Sequence, residues 1–424
     1  MFRYLIFGKG RSGRAASLLL SKRGIPHRLV DDGDPLWRSE LRKAQTVVVS
    51  PGIPPRHAVF KLASLLKKEL IGETELAYRF WRGSVVAVTG TDGKSTATRL
   101  AYLVLSSTLP SVFEGGNTGV PFSELVAKGG SGLAVLEVSS FQGYTLRFFR
   151  PQAGAFLNFA PDHLDWHTDL DDYLRGKYRI FHRQRPGDLL ILNGSDERVL
   201  ETPSAARKVL FDHPAGEVRI RPDGRVYLGD LLLFEGRKVK LKGAHNLRNA
   251  AVAAVLGLEF GVPLKRIREV LYSFEGLPYR LQYLGRFAGA RFYNDSKSTT
   301  PNALRAALEA VEGPVVLVFG GKDKGADFSP LRGLFKRKVW RALAFGENAP
   351  KLKETFGDLV EVKVLKNLEE VFGELRKLPL EGKTVLFSPG AASFDLYSSY
   401  AERGEHFNRL VEEFFGRPSR GGGT

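Results

Sequence analysis

The chain contains no cysteine. That absence excludes disulfides, thiol nucleophiles and cysteine-bound zinc at once. Only one methionine is present, Met1. Together with the abundance of Lys and Arg, this fits a thermophile's avoidance of labile side chains. No run approaches the ~18–20 apolar residues that a membrane span needs. The opening "MFRYLIFGKGRSG" meets glycines and charges too early for a secretory signal. A cytoplasmic chain with no membrane span is expected. Acidic residues are outnumbered, and the net charge is +17. A basic excess raises the question of nucleic acid. The cations are scattered, however, in "SKRGIPHR", "ASLLKKEL" and "LFKRKVWR", with no basic arm and no RNA-binding aromatic signature. The expectation is a solvated basic surface that attracts an anionic substrate, with no nucleic-acid partner.

With 424 residues, the chain exceeds one typical core, so two or three domains are expected. Strand and helix patterns alternate from end to end. Residues 3–8, 27–32 and 46–52 read as the strands of a β-α-β start, followed by a helical, charged stretch over 55–82. Further buried strands are predicted at 132–140, 153–160 and 188–194, and an antiparallel insertion at 207–242. Residues 243–260 begin a helix, and 274–285 read as a linker. A third series has strands at 290–296, 314–321, 339–346 and 383–390, and the tail "RPSRGGGT" reads as disordered. The predicted fold class is α/β, with three nucleotide-binding-like folds in series.

Two glycine loops carry chemistry. "FGKGRSG" gives Gly8, Gly10 and Gly13 in G-x-G-x-x-G spacing between a strand and a helix, with Asp31 and Asp32 ~20 residues on. Such a turn lets a pyrophosphate approach the backbone at a helix N-terminus, and Arg11 and Arg14 add positive charge. The alternative is a tight turn without a ligand. No hydride-transfer constellation is visible, so a UDP-sugar suits the loop as well as a dinucleotide.

The second loop lies in "VVAVTGTDGKSTATRL". Its first glycine does not take the usual place. The common phosphate loop would need Gly at 88, where Val88 stands, and the nearest is Gly90. Gly90, Thr91, Asp92, Gly93, Lys94, Ser95 and Thr96 still form a turn whose backbone N–H groups converge on phosphate. Lys94 would neutralise the β- and γ-phosphates, and Ser95 would ligate Mg²⁺. Glu137, ending a strand, and His163, just past another, are the metal candidates. His163 and His167 lie four apart, but the Glu of H-E-x-x-H is missing, so a hydrolytic zinc site is rejected. His167 reads as structural.

The motifs then accumulate. "GGNTG" (115–119), "EVSSFQ" (137–142), "DHLDWH" (162–167), "YLRGKYRIF" (173–181), "GAHNLRNA" (243–250), "GLPYR" (276–280), "NDSKSTTPNA" (294–303), "GGKDKGADF" (320–328) and "SPGAASFD" (388–395) join the short phosphate loop. In this order they resemble the Mur ligases, ATP-dependent enzymes that build the peptidoglycan stem peptide. The resemblance covers essentially the whole chain, with Asp92 where the family usually has Asn. "EVSSFQ" and "NDSKSTT" favour the member that adds D-glutamate to UDP-N-acetylmuramoyl-L-alanine.

The resemblance implies three domains: an N-terminal Rossmann-like UDP-binding domain (1–82), a central P-loop ATPase-like ATP-binding domain (83–280) and a C-terminal Rossmann-like amino-acid-binding domain (281–424). It implies ATP and two Mg²⁺ ions as cofactors. Lys94, Ser95 and Thr96 would hold phosphates and metal, and Glu137 and His163 would coordinate metal. Lys177 matches a lysine that becomes carbamylated. Asn117, Ser139 and Gln142 would position the muramoyl-alanine end. Asn246, Asn249, Arg280 and Asp295 match nucleotide contacts. Lys297, Thr299, Lys324, Ser393 and Tyr400 match the D-glutamate region. Arg11, Ser12, Asp31, Ser50 and Gly52 sit where the first domain would touch uridine diphosphate. Singly, several of these have plainer readings: helix caps for Asn246, Asn249 and Asp295, and an ion pair for Arg280. The implied chemistry is an acyl phosphate attacked by the amine of D-glutamate, in a monomer whose C-terminal domain closes about a linker at 281–288. A folylpolyglutamate-synthase-like or other Mur-type ligase is the alternative.

Overall fold

The apolar runs that alternate with amphipathic helices build three largely parallel sheets. The computed structural model describes residues 3–164, 166–241 and 243–416. The tail "RPSRGGGT" and Asp165 of "DHLDWH" therefore lie outside the described residues. The chain forms two compact units, one reaching to Val239 and including Arg248–Ser273, the other made of Lys240–Leu247 and the chain from Phe274 on.

The first unit holds two sheets. One comprises β1 (Tyr4–Phe7), β2 (His27–Val30), β3 (Thr46–Val49) and β4 (Glu69–Gly72), all parallel, in the order β2-β1-β3-β4. The stretch at 55–82 is therefore not all helical. A four-residue strand, flanked by Lys67, Lys68 and Glu73, is too short and too charged at its borders to show in the pattern. The order reverses between β1 and β3, so a crevice opens at their carboxyl ends. There Gly8 has φ 107°, and the Arg11–Lys22 helix starts at once. A Cβ on Gly13 would lie 1.8 Å from the Gly8 carbonyl oxygen, so only glycine lets the helix enter this closely.

The other sheet has nine strands: β5 (Gly83–Thr89), β6 (Val112–Gly116), β7 (Gly132–Glu137), β8 (Ala153–Phe156), β9 (Leu189–Asn193), β10 (Arg207–Phe211), β11 (Val218–Ile220), β12 (Arg225–Leu228) and β13 (Leu231–Glu235). Their order is β13-β12-β11-β10-β9-β8-β5-β7-β6. β5 lies inside the sheet between β8 and β7, with Val85–Val88 fully buried, as a two-sided parallel strand requires. The predicted insertion at 207–242 is antiparallel only in part. β10 pairs parallel with β9 and with β11, and only the β11–β12–β13 pairs are antiparallel.

The two sheets share a core. Phe122 and Val126, on the Phe122–Ala127 helix, cluster with Ile6, Leu19 and Leu76. Two buried carboxylates reinforce the junction. Glu73 accepts the Ser123 amide at 2.5 Å, and Glu75 accepts the amides of Arg147, Phe148 and Phe149 at 3.0–3.2 Å.

The second unit has one sheet: β14 (Gln282–Phe287), β15 (Ala290–Asn294), β16 (Val315–Gly320), β17 (Val339–Phe345), β18 (Val362–Leu365) and β19 (Thr384–Phe387), ordered β14-β15-β19-β16-β17-β18. Only β14 is antiparallel, on the edge. Most of the expected 281–288 linker is therefore a paired strand, and left-handed backbone flanks it. Tyr279 and Leu281 have φ of 61° and 46°. β18, in "VKVL", shows only an exposed-edge pattern with two exposed lysine and valine positions, which sequence reading passed over.

Candidate active site

The phosphate loop leaves β5 at Thr89. Gly90 (φ 157°) and Gly93 (φ 81°) take backbone conformations closed to side chains, and the Lys94–Ser106 helix follows. Asn158 fastens the turn. Its side chain accepts the Thr91 and Asp92 amides at 3.1 and 2.8 Å and donates to the Asp92 carbonyl at 3.1 Å. Asn249 closes the other side, because a Cβ on Gly93 would lie 2.9 Å from its Oδ1. Sequence reading gave Asn249 a nucleotide contact rather than a place against this turn, and missed Asn158, whose only signal was its position just past the end of β8.

Glu137 ends β7 beside the start of that helix. Its carboxylate accepts from Ser95 Oγ, from Asn117 Nδ2 at 2.8 Å and from Thr118 Oγ1 at 2.8 Å. Burial works to raise this carboxyl. The Lys94 charge and the three hydrogen bonds outweigh it and hold the group below the ordinary carboxylate range. Glu137 is thus a buried carboxylate held in its charged form, with the chemistry of an oxygen donor.

Lys177 is 1% exposed. Its Nζ donates to the Gly90 carbonyl at 2.7 Å, and Lys94 Nζ donates to the same oxygen at 2.9 Å and to Thr91 O at 2.6 Å. Burial and then the neighbouring Lys94 charge push the Lys177 ammonium well below its ordinary value; Asp162, Asp92 and Glu137 oppose the shift. Burial and the second charge thus both favour the neutral amine of Lys177 over its ammonium in the wall of the phosphate loop. The Tyr173 and Phe156 rings lie 4.6 and 5.9 Å from Nζ.

His163 and His167 sit in different surroundings. His167 is buried, with Nδ1 2.9 Å from Asp172 and Nε2 2.9 Å from Ser140 Oγ, so it locks "DHLDWH" onto its neighbours. His163 has φ 57° and a half-exposed ring, lying against Phe141 and Tyr173 with ring centres 4.7 and 5.7 Å away. Tyr173 in turn meets Thr91 Oγ1 at 3.1 Å, tying this segment to the loop.

Ser139 and Gln142 form a capping box at the start of a short helix, and Gln142 Nε2 donates to Thr74 at 3.0 Å. Both are buried, so their side chains serve the local fold first. At the first crevice, Ser50 Oγ donates to the Gly8 carbonyl at 3.1 Å. Arg11, Ser12 and Gly52 lie on the accessible rim there. Asp31 accepts the Gly33 amide at 3.1 Å and faces Lys9 at 3.7 Å.

In the second unit, Asp295 accepts the Leu281 amide at 2.9 Å and Ser388 Oγ at 2.8 Å. It fixes the turn that also carries Arg280, and it does not cap a helix. Thr300 caps the next one instead. Lys297 lies 4.6 Å over the Tyr400 ring. Ser393 is buried, Thr299 is half-buried and Lys324 is exposed. Asn246 is buried at the start of the Ala244–Glu259 helix.

One residue here escaped sequence reading. Arg403 is fully buried and donates to Ser296 Oγ (3.1 Å), Ser296 O (2.8 Å), Ala391 O (3.0 Å) and Ala392 O (3.1 Å). It binds the loop of Lys297 and Thr299 to the loop of Ser393. Burial lowers its guanidinium to about 10, against the charges of Asp395, Tyr397 and Asp295. The sequence signal was faint: an arginine three residues after Tyr400 on an amphipathic helix.

Among the described residues no three His, Asp or Glu side chains gather as a preformed metal cluster. The donor set still fits Mg²⁺. An ionised carboxylate and a helix-start serine hydroxyl touch each other beside a phosphate loop, and Mg²⁺ characteristically takes few protein oxygens and completes its shell with phosphate and water.

Two family models match the chain: the Mur ligase middle domain over residues 88–257 and the Mur ligase glutamate ligase domain over 279–390. The UDP-N-acetylmuramoylalanine–D-glutamate ligase of Aquifex aeolicus is 50% identical over 98% of this chain and 100% of its own. That of a Hydrogenobaculum species is 45% identical over 97% and 99%. The UDP-N-acetylmuramate-alanine ligase of Thermotoga maritima shares the fold, with TM-score 0.64 at 17% identity over 97% of this chain and 100% of its own. So does the MurF ligase of Thermotoga maritima in complex with ADP, with TM-score 0.64 at 18% identity over 87% and 96%.

Proposed function

The chain belongs to the Mur ligase family, and on that premise we propose that it is the ATP-dependent ligase that joins D-glutamate to UDP-N-acetylmuramoyl-L-alanine. Half-identity along the full length to a relative of that name carries the reading. The reaction belongs to cytoplasmic synthesis of peptidoglycan precursor, and the chain acts as a monomer.

A carboxylate is a poor electrophile in water, so the L-alanine carboxylate must first take the γ-phosphoryl group of ATP. Its oxygen attacks phosphorus, the bond to ADP breaks, and an acyl phosphate forms. The D-glutamate amine then attacks the acyl carbon, a C–N bond forms as the nitrogen releases a proton, and phosphate leaves with the pair of the broken C–O bond. Such a transfer needs positioning and neutralisation more than covalent help.

Gly90–Thr96 cradle the triphosphate, and Lys94 balances its charge. Ser95 and Glu137 would hold the first Mg²⁺, and His163 with a carbamylated Lys177 the second. When bound, Mg²⁺ supplies charge compensation at the phosphates. Burial and the Lys94 charge lower the Lys177 ammonium, which favours the form that carbamylation needs. A neutral amine attacks CO₂, a C–N bond forms and a proton leaves, giving a carbamate oxygen donor. Asn249, Asn246, Arg280 and Asp295 line the nucleotide. Arg11, Ser12, Asp31, Ser50 and Gly52 take the uridine diphosphate, and Asn117, Ser139 and Gln142 the muramoyl-alanine end. Lys297, Thr299, Lys324, Ser393 and Tyr400 take D-glutamate, whose two carboxylates match the two lysines. The functional domains follow as 1–82, 83–280 and 281–424.

The test supplies ATP, Mg²⁺ and UDP-N-acetylmuramoyl-L-alanine with each candidate amino acid and measures phosphate release. D-glutamate should be required. Release that depends on another amino acid would assign the chain to a different Mur-type or folylpolyglutamate-synthase-like activity.

A further inference from the structure

The segment after Leu170 serves two sides. Inward, Lys177, Ile180 and Phe181 are buried; outward, Arg179, His182 and Arg183 are exposed. The outward residues meet the loop Leu146–Phe149 around a cleft of about 280 Å³. Arg147 completes its cationic lining. Nothing in the ligase chemistry uses this cleft.

The guanidinium groups are held in place by backbone carbonyls. Arg147 Nε donates to Leu70 O at 3.1 Å, Arg183 Nε to Arg147 O at 3.1 Å and Arg179 Nη1 to Tyr144 O. Each bond occupies one N–H of the five that an arginine carries. The carboxylates nearby have closer partners of their own, although the Arg147 charge also acts on Glu69. Glu69 and Glu75 pair with Arg79, Asp188 with Arg150, and Asp172 with His167. Among the described residues, Arg147, Arg179, His182 and Arg183 form no ion pair. Some exposed arginines elsewhere do, as Arg332 does with Asp358 and Arg207 with Glu259; what sets this group apart is that three unpaired guanidinium groups and His182 line one cleft. Three like charges fixed around one cleft repel each other, and a bound anion would relieve that repulsion.

Planar forks that each offer several N–H donors match the oxygens of a phosphate. The cleft is roomier than one phosphate needs. Phe148, 59% exposed, stands at its edge beside Arg183 and offers an apolar contact. We propose that this cleft is a phosphate-binding site separate from the phosphate loop, taking a diphosphate or the phosphate of an anionic lipid headgroup. The proposal does not depend on the ligase reading.

Two arms test it. In the first, inorganic pyrophosphate is titrated calorimetrically into Lys94→Ala protein, which weakens the phosphate loop, with and without added Arg147→Gln and Arg183→Gln. In the second, wild type and the Arg147→Gln/Arg183→Gln variant are floated with vesicles of phosphatidylcholine containing phosphatidylglycerol. Saturable binding that falls at least tenfold in the arginine variant supports the site. A response to pyrophosphate alone assigns it to soluble diphosphates, and a response to vesicles assigns it to lipid. An Arg179→Gln variant, with melting temperature and ligase activity followed, guards against misfolding and should lose the same binding. Absence of binding in both arms, or equal binding by the variants, overturns the proposal.

Discussion

The ε-amino nitrogen of Lys177 lies 2.7 Å from the Gly90 carbonyl oxygen, which Lys94 also engages at 2.9 Å. Two amines on one carbonyl, in a buried setting, cannot both remain charged cheaply. Lys177 is fully enclosed, and its burial together with the nearby Lys94 charge lowers its ammonium well below the ordinary value. That relationship turns an unremarkable helical lysine into a candidate nucleophile for CO₂.

Lys177→Ala should lower phosphate release by about 10²-fold or more, the scale of removing one electrostatic group from a phosphoryl-transfer site. Short carboxylates should restore part of the rate. Wild type equilibrated with ¹³C-bicarbonate should show a carbamate resonance that the variant lacks. Full activity in the variant would remove Lys177 from the site.

Glu137→Gln preserves shape and removes charge. Its hydrogen bonds from Asn117 and Thr118 can persist, so the fold should hold. The Mg²⁺ concentration giving half-maximal phosphate release should rise about tenfold, equivalent to ~1.4 kcal/mol. An unchanged Mg²⁺ dependence with normal turnover would assign Glu137 a purely structural part.

Arg403→Lys keeps the charge but cannot span four acceptors on two loops. The KM for D-glutamate should rise about tenfold, and more than the KM for ATP, since the four acceptors of the clamp lie on the loops that carry Lys297, Thr299 and Ser393. An equal rise in both would point to general loosening of the unit. Should wild type show no D-glutamate dependence at all, the functional reading fails before the clamp is tested.

Glu73 is buried at the junction of the first two sheets, and burial holds its carboxyl above the ordinary 4.5. The folded chain keeps this proton at pH values where the unfolded chain has released it. Stability therefore falls as pH rises from about 4.5 through the folded-state value, by ~1.4 kcal/mol for each pH unit within that window. Glu73→Gln should flatten that part of the melting-temperature profile above pH 4.5. A profile as steep as wild type would place the titration elsewhere.

Asp92 presents its backbone to Asn158 and its charge acts on Lys177. Asp92→Asn should change ATP affinity by less than about threefold, because the turn is fixed through main-chain groups. A large gain in affinity would show that the carboxylate reaches the phosphates.

The parallel α/β plan, both glycine loops and the order of the site motifs are legible from the amino-acid order alone. Those signals are local. A buried parallel strand must be apolar on both faces, and a turn with positive φ favours glycine, so Val85–Val88, Gly8, Gly90 and Gly93 declare themselves. The short strands β4 and β18 stayed hidden because four residues with charged borders carry too little period. Residues 282–287 read as a linker because an edge strand needs only one partner. Folding alone brings together residues that lie far apart along the chain. Asn158 fastens a loop 66 residues earlier, and Arg403 spans 107 residues to reach Ser296. The charge state of Lys177 belongs with them. No spacing rule reports a pKa, because it is set by burial and by a second lysine 83 positions away in sequence, whose nitrogen shares one carbonyl oxygen with its own.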